Sequence, residues 1–190
     1  MIVTGKAMEQ TARSQAFVLL GQAHIQLSES EKASLDVIDF GLGDIGRYGV
    51  QLIEYVNNDR YCARQLVFLP YQTIPEHMHP PVGEDPGKVE TFRVVWGSVL
   101  AYTEQGEQSG QRSARLAEED EAYFHARHEI PLEAGEQCTI EGNQFHWFQA
   151  GERGAVVIEF SSPARDRFDR FRDPRVVREI GAAGSGMEQP

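Results

Sequence analysis

The period of the apolar positions changes along the chain. Between residues 8 and 36, Ala16, Phe17, Leu20 and Ala23 recur at spacings of three and four, the repeat of one helix face. Within that stretch "LSESEKASL" opens on Ser28 with Glu31 three residues later, the signature of a capping box. Residues 1–38 are too few for a domain and are expected to form short helices packed outside something else. A glycine-punctuated loop, "DFGLGDIGRYG", follows from Asp39 to Gly49.

From Val50 the helical period is lost. Short β-rich runs succeed one another: "VQLIEYV", "YCARQLVFLP", "TFRVVWGSVLAYT", "EAYFHARHEIPL", "EQCTI", "NQFHWFQ" and "GAVVIEFSS". Gly, Pro, Asn and Asp separate them at intervals of about ten residues, the spacing of an all-β sandwich or barrel. No helical stretch alternates with them, which argues against βαβ units. The expected organisation is one all-β domain over residues 39–180 and a disordered tail over 181–190, "GAAGSGMEQP". The charged run after Ser162, "ARDRFDRFRDPRVVREI", reads as a surface segment.

Composition narrows the partners. Acidic residues outnumber basic ones 29 to 18, for a formal charge of −11. Such a chain repels phosphate backbones and anionic bilayers, so nucleic acid and membrane surfaces are unsuitable partners, whereas a neutral sugar is not. No charged-then-apolar signal opens the sequence, and no apolar run is long enough to span a bilayer. Cys62 and Cys138 lack CxxC spacing and read as free thiols, which suits a cytoplasmic location.

The strongest chemical signal is "PEHMHPP". In an extended strand His77 and His79 project from one face and can converge on one ion. On a helix they would diverge by about 200°, and Pro75, Pro80 and Pro81 disfavour a helix here. A lone HxH is often an ordinary pair of strand histidines. Here it has company: Glu90 in "GKVETFRVVWG", with Gly97 after it, and His146 in "IEGNQFHWFQAG".

His77-Met78-His79, Glu90 with Gly97, and Gly135 with His146 resemble the two motifs of the cupin superfamily. The resemblance implies a small jelly-roll barrel in which the three histidines and Glu90 bind one divalent metal. There are departures: Tyr71 stands where cupins place a glycine, Glu141 replaces a proline and Ala150 an asparagine. The gap from His79 to Glu90 is also long, adding the loop "PPVGEDPGKV" at the rim of the site. With that loop, "VNNDRYC", "EHMHPP", "HWFQAGERGAVVIEFSS" and "DPR" are similar to the bacterial D-lyxose isomerase family of cupins, from about Asp39 to Val176. The resemblance implies a metal-dependent sugar isomerase, often using manganese, that interconverts D-lyxose with D-xylulose and D-mannose with D-fructose.

Aldose–ketose isomerisation moves a hydrogen between C1 and C2, and needs a polarised carbonyl and a base at the carbon-bound proton. Three imidazoles and a carboxylate leave two positions open on an octahedral Mn²⁺-type ion, enough for two adjacent sugar oxygens. Glu159 is the candidate base. It interrupts the apolar run "AVVIEFSS", where burial without a partner is costly and strengthens a carboxylate as a base; outward-facing alternation is the plain alternative. Lys88, two residues before Glu90, could share its face and stabilise charge on the sugar oxygens, with a solvated loop lysine as the plain alternative. Asp166 matches an acidic position of the family and could shuttle protons, although a charged surface run explains it equally well. His125 and His128, three apart, read as structural or exposed, and Trp147, Trp96 and Tyr102 as packing. Open sheet edges and the family pattern suggest a homodimer. Two other functions fit the same ligands: a cupin dioxygenase holding iron, and a sugar-binding cupin without catalysis.

Overall fold

The computed structural model describes residues 5–108 and 110–177, so the tail expected at 181–190 lies outside the described residues. The helical stretch is broken in two. Helix α1 (Gly5–Gln22) ends before His24, which takes a left-handed φ of 57°. Helix α2 (Glu29–Ser34) starts at the expected cap: the Ser28 hydroxyl accepts from the Glu31 amide, and Glu31 accepts from the Ser28 amide.

The rest is the expected all-β jelly roll, in which all named strands pair antiparallel. The strands are β1 (Asp36–Ile38), β2 (Val50–Asn57), β3 (Cys62–Phe68), β4 (Thr73–Met78), β5 (Glu90–Thr103), β6 (His128–Glu133), β7 (Gln137–Ile140), β8 (His146–Ser161) and β9 (Arg170–Phe171). Two of the predicted runs, "NQFHWFQ" and "GAVVIEFSS", are joined in the single strand β8. "EAYFHARHEIPL" is strand only from His128, because residues 118–123 wind into a 3₁₀ turn.

Strands β5 and β8 form a long ribbon shared by two sheets. Residues 90–97 and 155–161 lie in one sheet, ordered β1-β2-β3-β8-β5-β7. Residues 99–103 and 146–150 lie in the other, ordered β9-β4-β8-β5-β6. Leu66, Phe68, Phe92, Val94, Phe148 and Val157 fill the space between the sheets. Outside the first sheet, Ala12, Ala16, Leu19 and Leu20 of α1 pack on Ile53, Val67 and Val156. Each leucine buried there contributes roughly 1.5–3 kcal/mol. Outside the second sheet, Trp147 stacks on Tyr102 with centroids 3.9 Å apart, so both pack as expected but on the outer face. Among the described residues no helix is long and apolar enough to cross a membrane.

The fold in that ribbon positions the site. Run straight, the 14 residues of β5 would separate Glu90 from Thr103, the partner of His146, by about 45 Å. Instead Glu90 Oε1 lies 2.8 Å from His146 Nε2. The ribbon descends one sheet, turns a corner at two bulges within Val94–Val99, and climbs the other. Gly97 occupies that corner at φ +75°, and a Cβ there would sit 2.1 Å from the Gly154 carbonyl oxygen.

Backbone strain and collision should therefore make Gly97→Ala cost roughly 3 kcal/mol or more. Gly135→Ala provides the contrast: its φ is +96°, but a Cβ would meet nothing within 4 Å. It should cost only about 1 kcal/mol. Urea unfolding of the two variants measures the difference, and equal costs would refute the corner as the constraint.

Candidate metal centre

The four residues singled out by the cupin-like motifs meet in the mouth of the barrel. His77, the penultimate residue of β4, lies directly across from His146, the first residue of β8. A bulge between Ile74 and His77 shifts the alternation, so Ile74 and His77 both face inward although three residues apart. Pro75, with no amide hydrogen to give the ladder, sits within that bulge. His79 follows two residues later, and Glu90 opens β5 on the facing sheet. Their ligand atoms all lie within 4.8 Å of one another, and all four residues are buried.

Hydrogen bonds fix the tautomers. Nδ1 of His77 lies 2.9 Å from the Pro75 carbonyl, and Nδ1 of His146 lies 3.0 Å from the Gln144 carbonyl. Nδ1 of His79 lies 2.6 Å from Asp169 Oδ1. Each partner is an acceptor, so each Nδ1 carries the proton and each Nε2 presents a lone pair to the cluster. Nε2 of His79, Nε2 of His146 and Oε1 of Glu90 are buried without a hydrogen-bond partner. The 2.8 Å between His146 Nε2 and Glu90 Oε1 thus brings two acceptors together. Acceptors converging in this way suit a cation, and a set of three nitrogens and one oxygen without thiolate suits a divalent metal. His77, His79, Glu90 and His146 could hold such an ion.

The electrostatics agree. Burial, then the neighbouring His146 and His79, hold His77 well below its usual range and therefore neutral. Burial pushes Glu90 up, but Lys88 and His79 outweigh it and hold the carboxyl well below the usual range. Burial and Lys88 push His79 down, yet Glu90 and Asp169 lift it to about 9. A proton there takes the place a cation would fill.

Of the other sequence candidates, Lys88 and Glu159 join the cluster. Lys88 Nζ lies 2.6 Å from Glu90 Oε2 and 2.7 Å from Glu159 Oε1, with all three side chains buried. Glu159 faces inward as expected, but it is paired rather than isolated. Asp166 lies further out, with both carboxylate oxygens on Arg64 at 3.1 and 2.8 Å. His125 and His128 stay apart, bonded to the Ala122 and Glu107 carbonyls. Cys62 and Cys138 are free. The loop expected at the rim is there: a narrow cleft lies between Val82, Asp85 and Lys88 on one side and Pro163, Arg165 and Phe168 on the other.

Three residues escaped the sequence reading. Arg64 is a buried cation on β3, directly opposite Glu159 across the sheet. It interrupts the apolar run "CARQLVF" as Glu159 interrupts "AVVIEFSS", so the same signal was present. Glu76 is buried and accepts from Arg172 and from the His125 and Ala126 amides. Asp169 lies in a dense run of charges with nothing in its spacing to mark it.

Comparison with known proteins agrees with the geometry. Residues 21–179 match the D-lyxose isomerase family. The chain is 50% identical over 167 residues to the D-lyxose ketol-isomerase of Cohnella laeviribosi, covering 88% of this chain and 91% of that one. It is 49% identical over 173 residues to the D-lyxose/D-mannose isomerase of Thermosediminibacter oceani, covering 91% and 95%. The fold is shared with the L-ribose isomerase of Cellulomonas parahominis at a TM-score of 0.71 and 15% identity, covering 88% of this chain and 92% of that one. A ribbon folded at Gly97, a mouth of converging lone pairs and half-identical relatives lead to one assignment: the chain belongs to the D-lyxose isomerase family.

Proposed function

We propose that this chain is a metal-dependent aldose–ketose isomerase that interconverts D-lyxose and D-xylulose, and also D-mannose and D-fructose. The observation that carries this reading is the pairing of a buried carboxylate, Glu159, with the metal-ligand cluster through Lys88. The relatives named D-lyxose ketol-isomerase and D-lyxose/D-mannose isomerase supply the substrate class. Mn²⁺ is our choice of ion, held by His77, His79, Glu90 and His146.

A divalent ion in this cluster would polarise the sugar carbonyl and its neighbouring hydroxyl. In our reading Glu159 takes the proton from C2 of the aldose and returns it to C1 of the ketose. Lys88 works as a cation. Burial lowers its proton affinity, but the Glu159 and Glu90 carboxylates outweigh burial and keep the amine protonated. It can then stabilise negative charge that develops on the sugar oxygens. Asp166 is the candidate shuttle for oxygen-bound protons, and to act so it must leave its two-point pair with Arg64. We further propose a homodimer, for which the open sheet edges and the family pattern speak, in the cytoplasm, which suits the free thiols.

Metal-stripped protein should convert none of these sugars. Adding Mn²⁺ without oxygen should restore formation of D-xylulose from D-lyxose, followed by a ketose assay. Turnover that needed oxygen, or none at all with one ion bound, would contradict the reading. Glu159→Gln should lower kcat by about 10²- to 10⁴-fold while Mn²⁺ affinity stays within a few-fold, measured by steady-state kinetics and titration calorimetry. Lys88→Met leaves two buried carboxylates without their counter-ion, and should destabilise the metal-free protein by about 3–5 kcal/mol in urea unfolding.

A further inference from the structure

The segment that follows β8 does more than run along the surface. Residues 163–173 cross the mouth of the barrel and touch the end of β4 at successive positions. Arg172 donates from Nε to Glu76 Oε1 at 3.2 Å, and from its amide to the Glu76 carbonyl at 3.0 Å. Phe171 pairs with His77 and stacks on its ring, with centroids 5.5 Å apart. Asp169 receives His79 Nδ1 at 2.6 Å. At the outer end, Asp166 is held by the buried guanidinium of Arg64. The segment is thus a strap pinned at both ends, with Asp169 between the pins.

The three histidines are held in different ways. His77 and His146 are oriented by carbonyls two residues earlier in the chain, contacts that the local backbone supplies. His79 has no such local partner; its Nδ1 hydrogen bond goes to a side chain 90 residues away. That partner is a carboxylate, buried with only 2% of its side chain exposed. A buried, charge-assisted hydrogen bond holds a ring more firmly than a carbonyl does, and makes the opposite nitrogen a stronger electron donor.

We infer that Asp169 is a positioning residue for the metal centre, fixing His79 in the tautomer and orientation that direct Nε2 at the ion. The inference rests on the reading of the cluster as a metal site. It gives the strap a role separate from covering the mouth, since the strap delivers the Nδ1 acceptor of His79, whereas His77 and His146 take theirs from carbonyls two residues before them.

The test uses the full chain, metal-stripped, with Mn²⁺ affinity read by titration calorimetry and ligand geometry by the visible spectrum of the Co²⁺-loaded protein. Asp169→Ala should weaken Mn²⁺ binding by about 10- to 100-fold and shift the Co²⁺ bands. Asp169→Asn keeps an oxygen that can accept from Nδ1 but loses the charge, so it should recover the wild-type spectrum and only part of the affinity. Far-UV circular dichroism of both metal-free variants checks that the barrel is intact. Asp169→Ala binding within twofold of wild type, or Asp169→Asn falling as far as Asp169→Ala, would overturn the inference. Failure of the wild-type chain to bind Mn²⁺ would overturn the metal reading itself.

Discussion

Lone pairs of three imidazoles and one carboxylate point at a common centre inside the barrel, within 4.8 Å of one another and shielded from solvent. A buried acceptor left unpaired costs about 1–3 kcal/mol, and more when it is charged. A cation among them, whether a metal ion or the proton on His79, offsets that cost. Much of the rest of the structure serves to assemble that convergence. Glu90 and His146 stand at opposite ends of a ribbon that would be far too long if straight. The corner at Gly97, where there is no room for a Cβ, folds the two ends together.

Charge alternates outward from the same centre. Glu90 pairs with Lys88, Lys88 with Glu159, and Glu159 faces Arg64, which holds Asp166 and Glu54. Each buried charge has an opposite neighbour, so the mouth can be ionic while the barrel floor of Leu66, Phe68, Val94 and Val157 stays apolar. Removing one member strands its neighbours, which makes the row a unit. The row also links the candidate metal ligands to the proposed base, so Glu159 and an ion held there would share one electrostatic environment.

Much of this was legible in the sequence, and for definite reasons. Strand periodicity pairs the two imidazoles of HxH, and the resemblance to the cupin motifs added Glu90 and His146 to them. Glu159 stood out because a carboxylate in an apolar strand demands an explanation. Arg64 carried the same signal on the strand opposite. The strap was not legible: "ARDRFDRFRDPR" has no period, and nothing in it separates Asp169, which touches His79, from Asp166, which touches Arg64. Nor does composition reveal that a 3₁₀ turn at 118–123 replaces part of an expected strand, since Glu76 on β4 holds the following amides from a distance. Tyr71, the departure at the cupin glycine position, takes the left-handed φ of 59° that a glycine would take there. The turn is kept, and Arg115 lies over the ring at 3.9 Å.

Calorimetric titration of the metal-stripped wild-type chain with Mn²⁺, beside Glu90→Gln and His146→Ala, tests the central claim most directly. The convergence account predicts one ion per chain in the wild type and no saturable binding in either variant, with both variants still folded by circular dichroism. Wild-type binding that persisted unchanged in both variants would place the ion elsewhere and contradict the account.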